Sequence, residues 1–128
     1  MMGLNRAIAA IGLVCAVALT TTRGARLEGD AVRGAKLFEE CASCHTLTDE
    51  NGAGPALHGL FNRKAAALED FRYSTAMRNS GMTWTAETLN TFIADPQKSI
   101  PGNRMAYAGL TDPTDRADLV AYLLKATK

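Results

Sequence analysis

"CASCH", Cys41–His45, is the stretch on which the reading of this chain turns. Two thiols three positions apart with an imidazole directly behind them suit three chemistries: a zinc site, thiol–disulfide exchange, or covalent attachment of a prosthetic group through sulfur. The segment leading into it, "AVRGAKLFEECASCH" (31–45), carries a helical pattern. It is predicted to place Val32, Leu37 and Phe38 along one side, with Gly34 as a point of close approach.

Upstream, Arg6 precedes the apolar run "AIAAIGLVCAVAL" (7–19), and the polar "TTTRGAR" follows. A basic start, a short apolar run and small residues form the pattern of an export signal. Thirteen apolar residues fall short of the roughly twenty that a spanning helix needs. Residues 1–24 are therefore read as a signal peptide or a membrane anchor, with cleavage favoured and candidate cuts after Ala18 or Gly24. Cys15 lies inside the run and is read as apolar filler. Removing 1–24 takes away Arg6 and Arg23 and leaves twelve basic against thirteen acidic groups, from fourteen and thirteen in the whole chain. A charge this near zero, without a basic tract, points away from nucleic acid. Cys41 and Cys44 are then the only thiols left, in a compartment where free thiols oxidise unless something occupies them.

Downstream, no strand pattern or internal repeat appears. Residues 46–70 show turn chemistry, above all "NGAGP" (51–55), and read as an irregular loop wrapped round a bound object. A short helix is predicted over 74–79, stopped by Gly81. "TAETLNTFIADP" (85–96) gives a second, with Thr85 as N-cap, Glu87 in the first turn, an apolar stripe of Leu89, Phe92 and Ile93, and Pro96 as terminator. "QKSIPGNRMAYAGL" (97–110) reads as irregular. The last helix starts at Asp112 and Pro113, with Asp115 reaching back as a capping-box acid. Its stripe is Leu119, Tyr122 and Leu123, and Lys125 and Lys128 sit at the negative end of its dipole. Three main helices and two long loops leave too much apolar surface without a partner in about 100 residues, so a bound group is expected to fill the middle.

Among the three chemistries, zinc would need Cys41, Cys44, His45 and His58 together, yet adjacent Cys44 and His45 point about 100° apart on a helix. A redox dithiol would open a helix in an α/β pattern, whereas here a helix precedes the motif. Cys-x-x-Cys-His is the attachment signature of haem c, in which each thiol adds across a vinyl group and the histidine meets the iron. His45 Nε2 is then the ligand, and Nδ1–H is free for a backbone carbonyl, which the "GAGPALHGL" loop supplies from Pro55. For the opposite position Met105 is chosen. Pro101 and Gly102 hold its loop extended, and Met77 and Met82 read as core filling.

"CASCHTL", "GPALHGLFNRKA", "FRYSTAMRNSGMTWTAETLNTFIADPQKSIPGNRMAYAGL" and "DLVAYLLKAT" together resemble the class I c-type cytochromes, meaning mitochondrial cytochrome c and its soluble bacterial relatives. The resemblance runs from about Gly34 to Thr127. It implies an all-α class I cytochrome c fold: three main helices plus short helices and long loops around one covalent haem c. The domain map becomes 1–24 signal or anchor, 25–33 polar lead-in and 34–128 cytochrome c domain. Also implied are Cys41 and Cys44 as attachment points and His45 and Met105 as axial ligands, with Pro55 as partner of His45. Arg63, Tyr73 and Trp84 surround a buried propionate, Gly34 meets Tyr122 where the first and last helices cross, and His58 bonds loop backbone rather than metal. Three positions depart from the family's habit: Phe92 replaces a tyrosine and Met77 an asparagine, while Asn103 stands near the haem in place of a threonine. The first two remove polar atoms, so a drier methionine side with less buried water is expected. In relatives, lysines of the methionine loop replace the sulfur at alkaline pH, and here Lys98 is the lysine of that stretch.

The function so implied is that of a single-haem electron carrier, not an enzyme. It would be exported to the periplasm, monomeric, and membrane-bound only if 1–24 are retained. A quinol-oxidising complex and a terminal oxidase are its expected partners, met through Lys36, Lys64, Arg78, Lys98 and Arg104 beside the acidic Glu39 and Glu40. The alternatives are a peroxidase-like or ligand-sensing protein in which Met105 dissociates, and a subunit dedicated to one periplasmic dehydrogenase.

Overall fold

The computed structural model describes residues 29–128; the apolar run, Cys15 and the candidate cuts lie outside the described residues. Helix α1, Ala31–Ala42, begins where the Asp30 carboxylate accepts the N–H groups of Val32 and Arg33. Its first turn thus falls within the segment expected as a polar lead-in to 33. Gly34 and Phe38 are its buried positions, with Leu37 and Cys41 packed partly behind them. Val32, expected on this side, is 74% exposed. At about 100° per residue it stands some 200° round the helix from Gly34.

Helix α2, Thr75–Asn79, is capped by Ser74 and followed by Gly81 at φ +64. Helix α3, Ala86–Ala94, starts at Thr85, whose hydroxyl accepts the Thr88 N–H while the Thr88 hydroxyl accepts the Thr85 N–H. Leu89, Phe92 and Ile93 are its buried stripe. Pro96 does more than end α3: with Asp95 accepting the Lys98 N–H at 3.0 Å, it opens a further short helix, α4, Pro96–Ser99. That helix lies where an irregular segment was expected. Pro at a first helical position gives up no hydrogen bond, which is why one residue serves both ends.

Helix α5, Pro113–Ala126, is capped by Asp112, which accepts from Thr114 and Asp115. Asp115 does not reach back as a capping-box acid. Its carboxylate pairs instead with Arg33 at 2.5 Å. Lys125 lies in the last turn, and Lys128 follows the end of the helix.

The most extensive helix contact is α1 on α5, and α3 packs on the same helix. At the crossing, a Cβ on Gly34 would overlap the Asp118 carbonyl oxygen and stand 2.7 Å from Tyr122 Cβ. Phe38 lies against Tyr122 with ring centroids 5.6 Å apart. The rest of the core comes from α3, α5, Ile100 at the end of α4 and the loop residues Leu57, Leu60 and Trp84. The one strand-like feature among the described residues is an isolated bridge, Lys64 to Thr83.

Candidate cofactor-binding site

Inside this shell lies a cavity of about 440 Å³, whose walls come from nearly every segment of the described chain. Cys41 and Cys44 enter it from the end of α1. The Cys41 carbonyl accepts the N–H groups of Cys44 (3.1 Å) and His45 (2.9 Å), and this turn brings all three side chains to one wall. Cys41 is half-buried, Cys44 is exposed, and both are free thiols. Burial, with help from Glu40 and Cys44, pushes the free Cys41 thiol up.

His45 Nδ1–H donates to the Pro55 carbonyl at 2.7 Å. The loop holding Pro55 is tied to the motif by Gly54 N–H on the Cys44 carbonyl (2.8 Å) and Leu57 N–H on the Thr46 carbonyl (2.9 Å). Gly54 packs on the imidazole so closely that a Cβ there would come within 2.5 Å of its Cε1. Burial lowers the His45 pKa and the Pro55 contact opposes it. The ring is therefore favoured neutral, with Nε2 carrying a lone pair. A neutral imidazole oriented through Nδ1–H is the form that ligates a metal.

Met105 and Met77 border the cavity, and Phe92 joins them in its wall. Met82 packs against the core without lining the cavity. Arg63, Tyr73 and Trp84 all line it. Arg63 is braced by donating to the carbonyls of His58 and Ala56, both at 2.8 Å. Burial raises the Tyr73 hydroxyl, and the nearby Arg63 charge works against it. Exposed Glu40, Arg72 and Arg104 and half-buried Tyr107 also line the cavity. Gly54, Arg72 and Tyr107 were not anticipated. "GAGP" had marked Gly54 only as part of a turn, and nothing local to Arg72 or Tyr107 distinguishes them from solvated surface.

Two expected placements differ. Asn103 does not line the cavity. It is buried behind the wall, with its carboxamide committed to Pro96, Ile100 and Met105. His58 does not bond loop backbone: its Nδ1 faces Asp49 Oδ1 at 2.6 Å. The Thr46 hydroxyl folds that loop back by donating to the Glu50 carbonyl at 2.5 Å, which carries Asp49 round to the histidine. Among the described residues no group of three or more His, Cys, Asp or Glu side chains is arranged to hold a metal ion. The lining that converges on the cavity fits a largely apolar group: two thiols, a neutral imidazole, thioethers and aromatic rings, together with the polar donors of Arg63, Tyr73 and Trp84.

Fold and site together define a c-type haem protein of class I. The Cytochrome c family model matches residues 31–127, and the chain belongs to this family. It is 45% identical over 105 residues to a cytochrome c of Arabidopsis thaliana, covering 80% of this chain and 94% of that one. To a cytochrome c2 of Rhodoblastus acidophilus it is 45% identical over 97 residues, covering 74% and 91%. The solved structure of cytochrome cH from Methylobacterium extorquens superposes with a TM-score of 0.72 at 39% identity, covering 75% of this chain and 98% of that one. The fold is the all-α class I cytochrome c fold, the cofactor is one covalent haem c, and the chain is a haem electron carrier working with redox partners.

Proposed function

We propose that the chain carries single electrons with a haem c bound through Cys41 and Cys44, and with His45 and Met105 on the two faces of its iron. When bound, the haem supplies a metal centre that alternates between ferrous and ferric states. The observation that carries this reading is the convergence of Cys41, Cys44, His45 and Met105 on one cavity, with His45 Nδ1 committed to Pro55 so that Nε2 is free. Met105 is preferred to Met77 because it stands on a segment without regular structure that lines the cavity from Arg104 to Tyr107, whereas Met77 belongs to α2. Arg63, Tyr73 and Trp84 supply donors to a buried carboxylate, which must be paired when taken from water. Phe92 and Met77 make the methionine side apolar, so water is kept from the sulfur.

With His45 and Met105 both holding the group, it would offer no open position to a substrate, and the activity would be electron transfer rather than catalysis. Partners approach the exposed lining residues Glu40, Arg72 and Arg104, whose mixed charge suits brief, salt-sensitive encounters. A quinol-oxidising complex as donor and a terminal oxidase as acceptor fit this role in the periplasm, after removal of 1–24 or with it kept as an anchor. No helix of the described residues is long and apolar enough to cross a membrane.

The test is the spectrum and mass of the purified holoprotein. The expected result is a chain mass increased by one haem, a weak far-red ferric band from iron–sulfur bonding, and no carbon monoxide binding in the reduced form. Met105→Ala should abolish the band. Ferric coordination unchanged in Met105→Ala, or rapid carbon monoxide binding by the native protein, would overturn the reading.

A further inference from the structure

The segment that presents Met105 belongs to no helix or sheet: backbone bonds from Asn103 N–H to the Ile100 carbonyl (3.1 Å) and from Leu110 N–H to the Ile93 carbonyl (2.8 Å) tie its ends, and side chains hold the rest. From 103 to 110 the chain has no regular structure. Asn103 is 6% exposed, and its carboxamide makes three hydrogen bonds at once. Nδ2 donates to the carbonyls of Pro96 (2.8 Å) and Ile100 (2.9 Å), and Oδ1 accepts the Met105 N–H (2.9 Å). Met105 is thus linked through one side chain to the first residue and the C-cap of α4. Gln97 closes the same loop from outside: its Nε2 donates to the Asn103 carbonyl at 3.0 Å, and its Oε1 accepts the Gly102 N–H at 3.4 Å. Only a carboxamide offers two donors and an acceptor from one short side chain; a hydroxyl has a single donor and a carboxylate none.

We infer that Asn103 is the positioning residue for the sulfur ligand, the inner half of an Asn103–Gln97 clamp that must open before Met105 can leave the metal. This rests on the reading of Met105 as that ligand. The clamp couples ligand retention to neutral hydrogen bonds. Removing Asn103 takes its bond from the part-buried Met105 N–H and one of two bonds from the Pro96 carbonyl, which still accepts the Ile100 N–H at 3.0 Å, so the costly loss is the one at Met105.

The probe is imidazole, added to the ferric holoprotein and followed by loss of the far-red band, with hydrogen exchange at the Met105 amide as an independent readout. Asn103→Leu keeps the volume and removes all three bonds. Imidazole should then bind at least about tenfold more tightly. Met105 exchange should accelerate while the Gly34 amide at the helix crossing keeps its protection. Asn103→Thr, which retains one donor and one acceptor, should fall between, and Gln97→Ala, on the exposed side, should gain less than about threefold. Should Asn103→Leu not fold, Asn103→Thr and Gln97→Ala carry the test. Imidazole affinity within about twofold of native in the folded variants would overturn the clamp. So would equal acceleration of exchange at Gly34 and Met105, which marks general destabilisation. Failure of the Met105 assignment is distinguishable, because it shows as an unchanged band in Met105→Ala before any clamp variant is made.

Discussion

The two sides of the cavity are held by different means. On the attachment side, α1 and α5 approach until backbone meets backbone: a Cβ at Gly34 would overlap the Asp118 carbonyl, and one at Gly29 the Ala117 carbonyl. The Arg33 guanidinium joins them by reaching Asp118 and Asp115, both at 2.5 Å. On the methionine side the longest helix between α3 and α5 has four residues, and the segment is fastened mainly by side chains, the carboxamides of Asn103 and Gln97 and the Arg104 guanidinium on the Arg72 carbonyl, with one backbone bond from Leu110 to Ile93. Close backbone packing admits almost no adjustment, whereas side-chain hydrogen bonds can be exchanged one at a time. The rigid side fixes where a group is attached. On the reading proposed above, the adjustable side would govern how firmly Met105 is kept as a ligand.

The strongest way to break this contrast is Gly34→Val. It drives a branched side chain into the Asp118 carbonyl and Tyr122, and should cost about 3 kcal/mol or more in denaturant unfolding of the holoprotein. Tolerance of valine within about 1 kcal/mol would mean that the crossing adjusts after all. Next is Arg33→Ala. It leaves Asp118, only 3% exposed, with the Asp30 N–H as its remaining described partner, so a loss of about 2 to 3 kcal/mol is expected. Asp115→Asn removes the half-exposed arm of the same guanidinium and should cost under about 1 kcal/mol, an effect that fades in salt. Equal losses from the two would show that burial of Asp118 is not what matters.

The rigid side was also the more legible one. "GAKLFEECASCH" combines a helical stripe, a glycine and the attachment motif within a dozen residues, and the capping of α5 is written locally in Asp112-Pro113. The same dipeptide, Asp95-Pro96, was taken for a stop, because the four residues of α4 are too few to carry a periodic stripe of their own. Val32 was misplaced because two adjacent turns of a helix fit several apolar stripes until the partner helix picks one. The partners of Asp118 lie 85 and 88 positions away, beyond any local pattern. Asn103 was associated with the haem by resemblance. Its actual work depends on Pro96 and Ile100 being folded into a turn beneath it, and that turn had not been anticipated.

On the adjustable side, Lys98 sharpens the comparison. It is exposed on α4, the helix to which the clamp is tied. At alkaline pH, replacement of Met105 by a nitrogen ligand should be lost in Lys98→Ala. Unfolding stability at neutral pH should stay within about 0.5 kcal/mol of native, as for other surface substitutions. The measurement is the ferric spectrum against pH. The same nitrogen-ligated form with the same midpoint would exclude Lys98 as the replacing group.

The smallest effect concerns acid, and it separates the two sides by the chemistry of their fastenings. Asp112, the cap of α5, has its carboxyl held below the usual range by hydrogen bonds from the Asp115 and Thr114 N–H groups. A carboxyl whose pKa is lower folded than unfolded contributes stability that is present above its unfolded value. That contribution disappears as pH falls through the folded value, a window below about pH 4. The Asn103–Gln97 clamp consists of carboxamides and has no protonation step there. Asp112→Asn keeps an acceptor oxygen for the helix N-terminus but does not titrate. It should therefore flatten the loss of protection at the Thr114 and Asp115 amides between about pH 4 and 2, while exchange at the Met105 amide follows the native protein. An acid profile at Thr114 and Asp115 as steep in Asp112→Asn as in the native chain would place the acid sensitivity of α5 elsewhere than in its cap.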